Sequence, residues 1–252
     1  MIVLFTDFGV AGPYTGQVKA ILHDQAPGVP VVDLFADVPS FNTRAAAYLL
    51  RAYSAGFPPD TVFICVIDPG VGTRARQPVV VRSDGHWFVG PDNGLFHRVA
   101  SRSGSECWRI TWQPEKLSAS FHGRDLFAPV AAQLALGGEP PGVAWPEAPC
   151  LGNDWPEDYP AIVYIDGFGN AITGIRAGTL SDTMLLCVGD RELAYAHTFG
   201  EAVPAQPFWY RNANDLIEVA VNRGSAAEQL GLQIGQSVKQ AGREGLDRRT
   251  GQ

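Results

Sequence analysis

The stretch Thr61-Val62-Phe63-Ile64-Cys65-Val66-Ile67-Asp68-Pro69-Gly70-Val71-Gly72-Thr73 decides the fold of this chain. Val62 to Ile67 are apolar without a break, whereas a strand wetted on one face would alternate. An unbroken run of that length belongs to a strand covered on both faces, the habit of parallel sheets. Asp68-Pro69-Gly70 ends the run, because proline and glycine open a turn. A carboxylate therefore stands directly beyond the carboxyl end of a buried strand.

Reading outward from Thr61 to Ile67, strand and helix alternate. Ile2 to Thr6 is a short apolar run, and Tyr14 to His23 carries Val18, Ile21 and Leu22 at helical spacing. Val29 to Phe35 reads as a strand, and Arg44 to Tyr53 as a helix built on Ala45-Ala46-Ala47 and Leu49-Leu50. Gln77 to Val81, His86 to Val89 and Cys107 to Thr111 read as further strands, and Asp125 to Leu136 as a helix. This alternation predicts an α/β N-terminal domain with a largely parallel sheet over residues 1–145.

The pattern then changes. Residues 137–160 are rich in proline and glycine and lack periodicity, and we place the linker at 146–160. Short apolar segments separated by turn residues follow, from Ala161 to Ile165 through Gln236 to Lys239, with one brief helix at Ala226 to Leu230. They predict a smaller all-β, barrel-like C-terminal domain over 161–240. The polar stretch 241–252 reads as a disordered tail.

Composition narrows the function classes. The 252 residues are 46% hydrophobic and 18% charged, with a formal net charge of −7. That acidity argues against nucleic acid or an anionic membrane as the main partner. The opening Met1-Ile2-Val3-Leu4-Phe5-Thr6-Asp7 has no basic n-region, so it reads as a first strand and not a signal peptide. No apolar run approaches the roughly 20 residues of a membrane span. The four cysteines include no Cys-x-x-Cys pair, which predicts a reducing, cytoplasmic setting, no disulfide framework and no metal site.

Four segments combine turn glycines with polar residues. In Thr6-Asp7-Phe8-Gly9, Asp7 either accepts from sugar hydroxyls or caps the next helix. Asp68 to Arg76 carries two arginines, Arg74 and Arg76; it is either a functional loop or a plain turn with a surface ion pair. It lacks the Gly-Lys-Ser/Thr ending of a phosphate loop. Phe121-His122-Gly123-Arg124-Asp125 opens a helix, where a structural histidine is commoner than a reactive one and Arg124 and Asp125 read as cap and brace of the helix. In Ile165-Asp166-Gly167-Phe168-Gly169-Asn170, Phe168 can stack on a base and Asn170 can pair with its edge, on what is also a tight turn.

In series with Pro91-Asp92-Asn93-Gly94-Leu95 and Val221-Asn222-Arg223-Gly224-Ser225-Ala226-Ala227, these segments resemble the SAM hydroxide adenosyltransferase family. That family hydrolyses S-adenosyl-L-methionine (SAM) and is related to the fluorinating and chlorinating SAM enzymes. The resemblance runs from Ile2 to about Val238. It implies water attack at the ribose 5′ carbon to release adenosine and methionine, with SAM as substrate and no cofactor. It also implies a homotrimer in which SAM lies between the N-terminal domain of one subunit and the C-terminal domain of its neighbour.

Residue by residue, Asp7 matches the ribose-hydroxyl ligand, and Asp68 and His122 match two members of an Asp-Arg-His set that holds the water. Asp166 resembles the contact to the methionine ammonium and Asn170 a contact to adenine. Phe41 and Phe121 match aromatic positions around ribose and sulfonium, with Gly123 and Phe168 beside them. Asn222, Ser225 and Ala226 fall in the adenine-binding stretch. Two departures stand out. Counted forward from Asp68, the family arginine falls on Ala75; counted back from Pro78, it falls on Arg76, which we take over Arg74. Gly12 stands where many relatives carry an acidic residue. Keeping Asp68 and His122 favours water over halide. A halide-using SAM lyase and a non-catalytic adenosine or SAM sensor are the alternatives.

Overall fold

In the computed structural model, which describes residues 1–73, 76–101, 104–152 and 155–241, the chain divides into two compact units, Met1–Trp155 and Pro156–Gln252. The first unit runs β1 (Ile2–Thr6), α1 (Tyr14–Gln25), β2 (Val31–Phe35), α2 (Thr43–Ser54), β3 (Val62–Val66), β4 (Pro78–Ser83), β5 (His86–Pro91), α3 (His97–Ala100), β6 (Glu106–Ile110), α4 (Ala128–Ala135) and β7 (Gly142–Ala144). Its seven strands form one sheet in the order β2-β1-β3-β5-β4-β6-β7. β2, β1, β3 and β5 are mutually parallel, and β4, β6 and β7 extend the edge with antiparallel pairings.

The unbroken apolar run behaves as its composition requires. Every residue of β1 and β3 is buried. Ile2, Leu4, Val62, Ile64 and Val66 pack into one core with Val18 and Leu22 of α1 and Val130 and Leu134 of α4. On the other face, Phe5 meets Phe35, and Phe63 stacks on Phe88. The two faces of one strand thus serve two cores, so neither can take a polar residue cheaply. α2 starts where Asn42 accepts a hydrogen bond from the Ala45 N–H at 3.0 Å, a side-chain cap on an otherwise unpaired donor.

The helix read as Asp125 to Leu136 is in fact two pieces. Gly123–Phe127 forms a single wide π-helical turn, and α4 continues from it. Pro129 supplies the reason: it has no N–H to close an α-helical bond back to Asp125, and its ring crowds that carbonyl. Within the stretch read as lacking elements, Gly142–Ala144 pairs with β6 as β7, and Pro149–Leu151 makes one 3₁₀ turn. Their shortness and their prolines hide them from a periodicity reading.

The second unit contains β8 (Tyr159–Ile165), β9 (Ala171–Arg176), β10 (Leu185–Val188), β11 (Arg191–Leu193), β12 (Pro207–Arg211), β13 (Leu216–Val221), α5 (Ala226–Leu230) and β14 (Val238–Ala241). β12 was not anticipated, because its Pro207-Phe208-Trp209-Tyr210-Arg211 has no polar alternation. Two antiparallel sheets, β11-β10-β14 and β12-β13-β9-β8, meet along both edges through bridges between Ala161 and Ser237 and between Tyr195 and Trp209. Trp209, Ile217, Val219, Leu186 and Ile162 fill the space between them. Apart from Ala241, the tail read at 241–252 lies outside the described residues. No helix among the described residues is long and apolar enough to cross a membrane.

Candidate active site

β1 and β3 are neighbours, with Thr6 opposite Val66, so Asp7 and Asp68 leave the sheet from adjacent carboxyl ends. β1 also marks the point where the chain turns to β2 on one side and β3 on the other. Open α/β sheets bind ligands in the crevice at such a point. A cavity of 680 Å³ lies there, a volume ordinary for a small-molecule site. Asp7, Phe41, Asp68, Phe121, His122 and Gly123 all line it.

Asp7 accepts a hydrogen bond from the Phe41 N–H at 3.4 Å. Burial pushes its carboxyl up, the backbone N–H groups of Phe41 and of Asp7 itself pull it down, and nearby Asp68 pushes it up again. Phe41 holds a left-handed backbone at φ 63° and is 76% exposed, a combination that a bulky residue adopts only under constraint. Phe121 sits in an aromatic group with Phe8 and Tyr14, at centroid distances of 5.7 and 5.4 Å, which walls one side of the cavity.

Asp68 is held by its own turn. The Gly70 N–H donates to its Oδ1 at 3.1 Å, and Arg76 Nη1 donates to the same oxygen at 3.4 Å. The Asp68 side chain is 8% exposed. Asn93 braces the strand end from the next strand over, donating to the Ile67 carbonyl at 2.7 Å, a role the motif around it did not disclose. His122 stands at the start of the π-helical turn. Arg124, read as a helix brace, pairs with Asp125 at 2.6 Å and holds that carboxyl below its usual range. It also reaches Gln17 and the face of Phe121, and lines the cavity.

A second cavity of 110 Å³ shares Asp68, His122 and Phe127 with the first and is lined by Arg76. Among the described residues, Arg76 lines this smaller cavity and not the larger, so it meets Asp68 from behind. Arg74 lies outside the described residues.

In the second unit, Asp166 Oδ1 accepts from the Phe168 and Asn170 N–H groups, both at 2.9 Å, and Oδ2 accepts from Asn170 Nδ2 at 3.0 Å. The backbone N–H and one side-chain N–H of Asn170 are therefore spent inside the turn. Phe168 is 82% exposed at its tip. Gly169, at φ 80°, lies so close to Ser225 that a Cβ would meet Ser225 Oγ at 2.0 Å. That approach joins the turn to the start of α5, where Ser225 Oγ accepts from the Glu228 N–H and the Ala227 N–H donates to Gly169 O. Ala226 is fully buried, and Asn222 donates its side-chain amide to Phe199 O at 2.7 Å.

Models of the SAM hydroxide adenosyltransferase N-terminal and C-terminal domains match residues 2–144 and 160–239. The chain belongs to the SAM hydroxide adenosyltransferase family. It is 38% identical to the (R)-S-adenosyl-L-methionine hydrolase of Thermus thermophilus, across 94% of this chain and 98% of that protein. It is 33% identical to the enzyme of the same name from Salinispora arenicola, across 93% and 95%. A fluorinase from Nocardia brasiliensis shares 25% over 54% of each chain. A crystal structure of a conserved protein from Thermotoga maritima superposes with a TM-score of 0.86 at 30% identity, covering 96% of this chain and all of that one. Kinship in the SAM hydroxide adenosyltransferase family thus spans both units.

Proposed function

We propose that this chain hydrolyses S-adenosyl-L-methionine to adenosine and L-methionine, with Asp68, Arg76 and His122 holding the attacking water. The observation that supports this role is the meeting of Asp68 and His122 at the wall common to two cavities, with Arg76 bonded to Asp68. The reaction is an in-line displacement at the ribose 5′ carbon. A neutral thioether leaves and needs no acid, so the protein must supply a nucleophile and alignment. Alignment alone contributes roughly 7–11 kcal/mol when the reacting atoms are held near attack distance.

In this reading Asp68 orients the water while Arg76 and His122 stabilise developing hydroxide. Hydroxide meeting a sulfonium neutralises charge, which an apolar wall such as Phe8, Phe121 and Phe127 favours. Asp7 accepts from the ribose hydroxyls, Phe41 and Gly123 lie against the ribose, and Asp166, Phe168, Asn170, Asn222, Ser225 and Ala226 take the methionine ammonium and the adenine. No cofactor takes part. We place the enzyme in the cytoplasm, where a reducing environment keeps the buried Cys107 and Cys150 thiols, 3.6 Å apart, unjoined. A homotrimer is our proposal for the assembly, supported by the outward-facing rings of Phe41 and Phe168; analytical ultracentrifugation at a monomer mass would overturn it.

The deciding experiment is chromatography of products after incubation with SAM, with and without chloride. Adenosine and methionine in both reactions are expected. 5′-Chloro-5′-deoxyadenosine in the chloride reaction would make the chain a halide-using lyase, and tight adenosine binding without methionine release would make it a sensor.

A further inference from the structure

Hydrolysis of a sulfonium carries a charge problem that the larger cavity alone does not solve. The water oxygen bonds to the 5′ carbon, the carbon–sulfur pair goes to sulfur, and the oxygen gives up one proton. The positive charge that enters as sulfonium therefore ends as a proton, which must reach bulk solvent. A substrate filling the 680 Å³ cavity covers Asp68 and His122 from that side.

The 110 Å³ cavity reaches the same two residues from behind. Its inner end is Asp68, His122 and the buried Leu126 and Phe127, and its outer end is Thr73, Gln77 and Gln113, all exposed. At about 30 Å³ per molecule, it takes a short file of waters. The two glutamine carboxamides each offer both a donor and an acceptor, the pairing that water needs and a bare anion does not. Gly72, at φ 80°, packs so closely that a Cβ would meet Ala119 O at 2.6 Å, so the Asp68 turn and the 117–120 loop form a common roof.

We propose that this rear cavity is a water passage, through which the reacting water is drawn from solvent and its proton returned while SAM occupies the larger cavity. Gln77 and Gln113 form its mouth and Leu117 its side wall. The proposal rests on the hydrolase reading above.

The test is steady-state kinetics of the full chain carrying Gln113→Trp or Leu117→Trp, which plug the passage from two sides. In variants that keep the wild-type melting temperature, kcat should fall, up to on the order of 100-fold, the scale of a lost proton transfer. KM for SAM and the adenosine Kd should stay at wild-type values, and the solvent isotope effect on kcat should rise. Wild-type kcat in a folded variant of each kind would overturn the passage alone. A wild-type protein that releases no adenosine would overturn the hydrolase reading and the passage with it. Should both variants fail to fold, a crystal of wild type with adenosine decides: ordered waters running from Asp68 to Gln113 support the passage, and a dry cavity overturns it.

Discussion

The Asp68 turn and the Asp166 turn are built from the same parts and end differently. Each places an aspartate at the end of a strand, two residues before a backbone N–H that bonds to it. Asp166 takes three bonds from its own turn, two from backbone N–H groups and one from the Asn170 side chain, using both carboxylate oxygens. At Asp68, all the bonds among the described residues fall on Oδ1, from Gly70 and Arg76. One carboxylate is bonded at both oxygens by the turn that carries it, and the other, among the described residues, is bonded at one. What separates them, among the described residues, is the number of donors that reach each carboxylate.

Three substitutions probe that contrast. The largest effect is expected from Asp68→Ala, which should cut turnover of SAM by about 10²–10⁴-fold. SAM and adenosine should still bind, as equilibrium dialysis would show; unchanged turnover removes Asp68 from the mechanism. Asp166→Ala should cost about 1–3 kcal/mol of stability for the donors it strands, and weaken SAM binding through the lost contact to the methionine ammonium. Denaturant unfolding should therefore rank it below Asp68→Ala, and the reverse order would break the comparison.

The smallest effect concerns Asp7. Burial raises its carboxyl, so the stability that its protonated form contributes is full below the unfolded-state value, about 3.9, and is lost as pH rises through the folded value. Asp7→Asn should accordingly melt slightly above wild type at pH 7, with the margin closing below about pH 4. Adenosine should bind it more weakly, because an amide replaces a carboxylate acceptor. A margin that grows toward acid pH would show that burial does not dominate at Asp7.

Much of this is legible in the sequence. An unbroken apolar run such as Val62 to Ile67 has few ways to hide both faces, so a sheet covered on both sides followed directly. Strand ends marked by Asp7 and Asp68 then located the crevice. β12 and β7 were missed, because short or proline-bearing strands are fixed by partners distant in the chain. The π-helical turn at His122 was missed too, since one proline reshapes the turn before it without altering the apolar spacing after it.

What the amino-acid order settled by itself was the kind of residue at each strand end and the alternation that builds the sheet, because burial and turn chemistry act over a few neighbours. Only the tertiary structure decided how those residues are used. It spent Asn222 and part of Asn170 on backbone and turn, turned Arg76 to the back of Asp68, and opened a second cavity behind the first. Those outcomes depend on donors and walls brought from far along the chain, and no local pattern encodes a distance.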